Sequence, residues 1–139
     1  MFIKTDSIPA DLTATYMTGT AGGHSWCVTH DAVLRDGRPY ILKMGEIHFS
    51  RVPAEDWERE LRKMKDGGID IAASYVFWNH HENTEGKFDF TGNRDIRLFA
   101  DTCEKVGMPF FLRIGPWAHG EARNGGFPDW LIKKNLPLR

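Results

Sequence analysis

Pro109-Phe110-Phe111-Leu112-Arg113-Ile114 is an almost wholly apolar run that leads directly into Gly115-Pro116-Trp117-Ala118-His119-Gly120-Glu121. The run predicts a strand of a parallel sheet, where both faces of a strand are covered. The loop that follows places an indole, an imidazole and a carboxylate among glycines. Loops that directly follow strands carry the chemistry of α/β barrels, and an aromatic face beside a carboxylate suits a sugar.

Strands and helices alternate back along the chain from this point. Trp57, Leu61 and Met64 share one face of a predicted helix, and the glycines at 67 and 107 are natural helix ends. In chain order the predicted elements are a strand running from Tyr40 to His48, a helix from Pro53 to Gly67, a strand over Ile69–Val76, a helix from about Asn93 to Gly107 and the strand Pro109–Ile114.

This order predicts a parallel sheet with its three strand ends on one rim. Two architectures fit the order, a (β/α)8 barrel and a doubly wound sheet. The barrel is favoured because no Gly-x-Gly-x-x-Gly follows the first strand and because three successive strands end in polar and aromatic loops. The predicted fold is therefore α/β, the N-terminal portion of a (β/α)8 barrel with about three βα units.

The first part of the chain shows no lasting apolar periodicity. Residues 1–31 are predicted to be a weakly structured segment, with a flexible stretch over Thr18–Gly23. Residues 32–139 form the predicted domain. Its first feature is a hairpin whose turn is Asp36-Gly37, because this pair supplies the positive φ that a tight turn needs.

Composition narrows the range of functions. The 139 residues carry a net charge of −1, which indicates neither nucleic-acid binding nor attraction to an anionic membrane. No apolar stretch approaches the roughly 20 residues that span a bilayer. The N-terminus lacks the apolar core of a secretion signal, so we expect a cytoplasmic chain as written, or a secreted or periplasmic one if a signal was removed. Cys27 and Cys103 are compatible with a disulfide, but two separate thiols are favoured, with Cys103 in the core, and the redox compartment stays open.

Two clusters of polar side chains follow the central strand. Trp78, Asn79 and Glu82 have the residue types of a sugar-binding site, but Trp78 can equally plug the barrel while Asn79 ties down backbone. His80-His81-Glu82, with further histidines on the same rim, raises the question of a metal. We predict neither metal nor cofactor, because adjacent histidines seldom bind one ion together and no His-Glu-x-x-His or Cys-x-x-Cys is present.

Several of these segments together resemble the start of the catalytic domain of glycoside hydrolase family 35, the family of many β-galactosidases. The resemblance covers roughly residues 33–135 in the family's order and spacing. The matching segments are Leu34–Pro39, Gly45–Pro53, Trp57 with Leu61–Lys65, Tyr75–Glu82, Gly86–Phe90 and Gly115–Leu131.

The resemblance implies a (β/α)8 barrel and a retaining exo-glycosidase that removes a terminal β-linked galactose with two carboxylates about 5 Å apart. In the family the acid/base glutamate lies in an Asn-Glu pair after the fourth strand, and the nucleophile lies further on. Both are therefore expected beyond Arg139, and the 139-residue chain is expected to be an inactive fragment.

The same matching assigns individual residues. It implies sugar contacts at Tyr75, His119, Gly120 and Glu121. Residues expected to support the site are Trp78, Asn79, Glu82 and Trp117.

The chain departs from the family's usual pattern around this pocket. Asn83 stands where many members have proline, and Trp117 and His119 stand where many have tyrosine and cysteine. A glycosidase of other sugar specificity is one alternative that these changes leave open. The others are a non-catalytic sugar-binding module and, on weaker grounds, a metal-dependent hydrolase.

Overall fold

The structure, a computed structural model, describes residues 15–135. These residues fall into two compact units that divide between Leu42 and Lys43. Among the described residues no helix combines the length and apolar character needed to span a bilayer.

The first unit is a four-stranded antiparallel sheet with strand order β1-β2-β3-β4. Its strands are β1 (Thr15–Ala21), β2 (His24–Thr29), β3 (Val33–Arg35) and β4 (Arg38–Pro39). Gly22-Gly23 closes the first hairpin with φ values of 60° and 78°. Asp36-Gly37 closes the last one with 51° and 76°. Both pairs adopt the left-handed backbone that two-residue hairpin turns require.

The hairpin predicted at Asp36-Gly37 is confirmed, but two neighbouring predictions are wrong. The second arm does not run on to His48, because β4 ends at Pro39 and Met44–Glu46 belongs to a different sheet. The part of the weakly structured segment that the structure describes forms β1 and β2. Its glycine pair is a tight turn rather than a flexible link, and residues 1–14 lie outside the described residues.

The second unit has three parallel strands in the order β5-β6-β7. In chain order its elements are β5 (Met44–Glu46), α1 (Trp57–Asp66), β6 (Ile71–Val76), α2 (Trp78–His81), α3 (Ile96–Val106), β7 (Phe110–Ile114) and α4 (Asp129–Lys133). Short 3-10 turns occupy Phe49–Arg51, Ala54–Asp56, Gly92–Arg94 and Arg123–Gly126. The predicted α/β class and the alternation of strands and helices are confirmed.

Both long helices cover the same face of this sheet. Their apolar stripes meet in one core with Ala72 of β6, and the core side chains of the helices are Trp57, Leu61, Phe99, Cys103 and Val106. The Asp95 side chain accepts a hydrogen bond from the Leu98 N–H at the start of α3, and Gly107 ends α3 with a φ of 67°. These are the capping interactions that a helix of this length needs.

The covering of β7 differs from the prediction. Phe110 packs on the core, but Phe111, Leu112 and Ile114 are 48%, 36% and 75% exposed. The reason is topological, since β7 is the edge strand of the described sheet and α3 covers only its beginning. The apolar sequence of β7 is typical of a strand that is covered on both faces. In the described part of the chain, however, much of the surface of β7 is exposed.

Candidate functional site

The carboxyl ends of the three parallel strands share one edge of the sheet, and three polar side chains lie near it. They are Glu46 on β5, Tyr75 on β6 and Arg113 on β7. Tyr75 is in register with Arg113, and Glu46 is in register with Ala73. Because in-register neighbours point to one face and alternate residues share it, all three side chains lie on the face opposite the helices.

An ion pair crosses this face from one outer strand to the other. Arg113 Nη2 lies 2.5 Å from Glu46 Oε2, and the Arg113 guanidinium carbon lies 4.0 Å from the centre of the Tyr75 ring. The hydrogen bond to Glu46, the largest cause, raises the pKa of Arg113 above its usual value. Arg113 Nε is buried and has no hydrogen-bond partner among the described residues.

His48 extends this cluster. Its Nε2 lies 3.1 Å from Glu46 Oε1, and its ring contacts those of Tyr75 and Phe77 with centroid distances of 5.8 and 5.0 Å. Burial lowers the pKa of His48 and outweighs the opposing effect of Glu46. The ring is therefore neutral at neutral pH, and its Nε2 faces the Glu46 carboxylate. Its Nδ1 is buried and has no hydrogen-bond partner among the described residues.

The loop after β7 packs its backbone onto these rings. A Cβ atom at Gly120 would lie 2.6 Å from Cζ of Phe77 and 3.1 Å from Cε1 of His48. A Cβ atom at Gly125 would lie 2.2 Å from the Trp117 ring. Ala118 donates its N–H to the Gly125 carbonyl at 2.8 Å, which closes the loop. Glycine is needed at both positions because an aromatic ring occupies the space of a side chain.

Glu121 follows Gly120 with its backbone in the left-handed region, at a φ of 54°. Its side chain is exposed. Burial lowers the pKa of His48, and the charge of Glu121 is a small opposing effect. His119 is also exposed and contacts the Trp117 ring at a centroid distance of 5.9 Å. The structure thus brings Tyr75 and Gly120 into contact with His48, with Glu121 next along the loop, while His119 contacts Trp117.

Two of the predicted supporting residues belong to a buried scaffold. The Glu82 carboxylate accepts hydrogen bonds from Trp78 Nε1 at 2.5 Å and from the Gly86 N–H at 2.7 Å. The Glu82 carbonyl accepts one from Trp130 Nε1 at 3.0 Å. Trp78 also packs edge-on against Phe127 and Trp130. Both oxygens of Glu82 are therefore occupied. Asn79 is half-buried, and its Oδ1 has no partner among the described residues.

The adjacent histidines of α2 have separate partners. His80 Nδ1 lies 2.7 Å from Ser50 Oγ. His81 is buried between Phe49 and Phe90, and its Nδ1 lies 3.1 Å from the Asp89 carbonyl oxygen. Within residues 15–135 no group of three or more histidine, cysteine or acidic side chains could hold a metal ion.

The sequence prediction did not include Glu46, His48 or Arg113 among the site residues. A signal for them exists in the alternation of strand residues. A charged residue inside a largely apolar strand lies on one defined face, and Glu46 and Arg113 lie on the face of Tyr75. The alternation does not predict that a side chain of β5 pairs with one of β7 across β6.

The sequence model described as "Glycosyl hydrolases family 35" matches residues 32–139. The match covers more than half of the chain and includes all the site residues described above. The chain belongs to glycosyl hydrolase family 35.

Curated relatives agree with this assignment. A beta-galactosidase of Xanthomonas manihotis is 43% identical over 107 residues, which is 76% of this chain and 18% of the relative. Beta-galactosidase 6 of Oryza sativa subsp. japonica is 36% identical over 124 residues, with 89% and 14% covered. An exo-beta-D-glucosaminidase of Pyrococcus horikoshii is 41% identical over 114 residues, with 74% and 15% covered. The chain spans less than a fifth of the length of these relatives.

Proposed function

We propose that residues 32–139 belong to the catalytic domain of a retaining exo-glycosidase, and that the second unit, with β5, β6 and β7, forms the first three βα units of its (β/α)8 barrel. The sequential order of β5, β6 and β7 supports this proposal, as does the position of α1 and α3 on one face. A barrel keeps its helices on the outer face of the sheet, whereas a doubly wound sheet carries helices on both faces.

The rim of this partial barrel binds a terminal β-linked sugar, with galactose as the first candidate. The observation that carries this step is the contact of Tyr75 and Gly120 with His48, with the exposed Glu121 next along the loop, in a chain of this family. No described residue forms an ion pair with the exposed Glu121 carboxylate, so its oxygens are open to sugar hydroxyls. Its left-handed backbone is a second argument, because such conformations cluster at ligand sites.

The role proposed for this rim is recognition rather than cleavage. A retaining glycosidase needs two carboxylates about 5 Å apart, one as acid/base and one as nucleophile. Both oxygens of Glu82 are hydrogen-bonded, and Glu46 is held by Arg113 and His48. The chain spans less than a fifth of the length of the relatives that it matches. The two catalytic glutamates are accordingly assigned to parts of the enzyme outside these residues, and the 139 residues alone are expected not to hydrolyse glycosides.

The test is a pair of measurements on the purified chain. Calorimetric titration with galactose is expected to show binding that is lost in Glu121→Gln and kept in Glu104→Gln, an exposed glutamate on α3. Incubation with nitrophenyl β-galactoside is expected to release no nitrophenol. Lack of binding by the native chain would contradict the proposed sugar site, and turnover would contradict the assignment of the catalytic groups elsewhere.

A second sugar is favoured by one of the relatives. The Pyrococcus horikoshii protein is an exo-beta-D-glucosaminidase at 41% identity, and the free carboxylate of Glu121 could pair with the ammonium group of glucosamine. Parallel titration with glucosamine separates the two specificities. Tighter binding of glucosamine that weakens with added salt favours the amino sugar, because salt screens an exposed ion pair.

A further inference from the structure

We infer that the Arg113–Glu46 ion pair positions the Tyr75 ring for sugar recognition, an inference that rests on the proposed function. Arg113 and Glu46 are positioning residues in this scheme, and Tyr75 makes the contact with the sugar.

The geometry of the sheet makes the ion pair a bridge. Glu46 and Arg113 come from the two outer strands, and their side chains meet above the central strand β6. The residue of β6 in register with Glu46 is Ala73, which is 1% exposed and has only a methyl group. A larger side chain at position 73 would occupy the space through which the bridge passes.

The bridge also fixes where Tyr75 can lie. The guanidinium carbon is 4.0 Å from the ring centre, which is a close cation–π contact. His48 and Phe77 contact the same ring, at centroid distances of 5.8 and 5.9 Å. Both oxygens of Glu46 are engaged, one by Arg113 and the other by His48 Nε2. Glu46 therefore holds Arg113, and Arg113 holds the ring.

A role limited to stability fits this pair poorly. The side chains of Arg113 and Glu46 are 31% and 43% exposed, and ion pairs with this much solvent contact contribute little to folding. If the ion pair positions Tyr75, its loss should change the environment of the Tyr75 ring and the affinity for the sugar while barely changing the stability of the fold.

The experiment uses the full 139-residue chain with ring-labelled tyrosine. The chain has three tyrosines, and Tyr75→Phe identifies the NMR signal of Tyr75. Arg113→Met and Glu46→Gln are each expected to shift that signal and to weaken galactose binding by about fivefold, the size of a partly desolvated cation–π contact. Arg97→Met, which removes an exposed arginine of α3, is expected to change neither.

The double variant tests whether the two residues act as one device. If they do, Glu46→Gln with Arg113→Met binds galactose no more weakly than Arg113→Met alone, because linked residues are not additive. An unmoved Tyr75 signal in Arg113→Met, or losses that add in the double variant, overturns the inference. If the native chain binds no galactose although Tyr75 still responds, the proposed function fails and with it the role of the bridge in sugar recognition.

Discussion

Gly120 lies directly against the ring of Phe77, so that a Cβ atom on the glycine would come within 2.6 Å of the ring carbon Cζ. Phe77 is fully buried and follows the end of β6. The backbone at Gly120 thus packs on the Phe77 ring just beyond the central strand, and the His48 ring lies on the same side. This contact sets the height of the loop above the sheet and hence the position of the Glu121 carboxylate.

Gly120→Ala is expected to destabilise the chain, because the new methyl group must displace the buried Phe77 ring or the loop. Overpacking of this kind costs about 1–3 kcal/mol, which urea denaturation detects as a lower midpoint. Gly19→Ala is the control, since a Cβ atom there meets nothing within 4 Å. If Phe77 is the obstacle, the cost of Gly120→Ala becomes smaller in a Phe77→Leu background. An equal cost in both backgrounds would mean that another contact is responsible.

The same substitution at two glutamates separates the structural scaffold from the proposed sugar-binding surface. Glu82→Gln is expected to cost about 1–3 kcal/mol of unfolding free energy, because a glutamine offers one acceptor to the two donors, Trp78 Nε1 and the Gly86 N–H. Glu121→Gln changes an exposed side chain, so its stability is expected to stay within about 0.5 kcal/mol. Urea denaturation gives both values. A stable Glu82→Gln variant would show that the buried carboxylate is not a structural anchor.

The elements that could be predicted from the sequence are those with a clear local pattern of apolar residues. The apolar stripe of α3 and its end at Gly107 are encoded within a few turns of the chain, and they were predicted correctly. The hairpin of β1 and β2 was missed because its glycine pair resembles a flexible link in sequence, and only the cross-strand pairing of Ala21 with His24 makes it a turn.

The site was less predictable than the fold, because its contacts join distant segments. Tyr75 and Glu121 could be placed on one rim from strand order and resemblance. The Glu46–Arg113 ion pair depends on the side chains of two outer strands meeting over Ala73, which no local pattern specifies. Glu82 has the residue type of a sugar ligand, but in the structure its hydrogen bonds go to Trp78 and Gly86.

The two cysteines are expected to differ sharply in reactivity. Cys103 is 1% exposed, and burial raises its pKa to about 12. The thiolate is the reactive form, so iodoacetamide should modify Cys27 but not Cys103 in the folded chain. Mass spectrometry of peptides, with and without urea, measures this difference. Modification of Cys103 at the rate of Cys27 without denaturant would contradict the packing of α3 against the sheet.

Acid is expected to destabilise the second unit through its buried histidines. His81 is 3% exposed and its Nε2 has no hydrogen-bond partner among the described residues. Burial lowers the pKa of His81 below 6.5, and burial lowers the pKa of His48 and His80 in the same direction. Below about pH 6.5 the unfolded chain therefore binds more protons than the folded chain. Stability falls as pH decreases from that value toward the lower folded pKa.

His81→Asn tests the share of this effect that belongs to His81. An asparagine can still donate a hydrogen bond to the Asp89 carbonyl, as His81 Nδ1 does, but it has no group that gains a proton in this range. The urea midpoint of the variant should therefore change less between about pH 7.5 and about pH 5.5 than that of the native chain. His30→Asn, at a histidine whose side chain is 68% exposed, should leave the native pH dependence in place. If His81→Asn keeps the full native slope, the acid sensitivity resides in His48, His80 or the carboxylates instead.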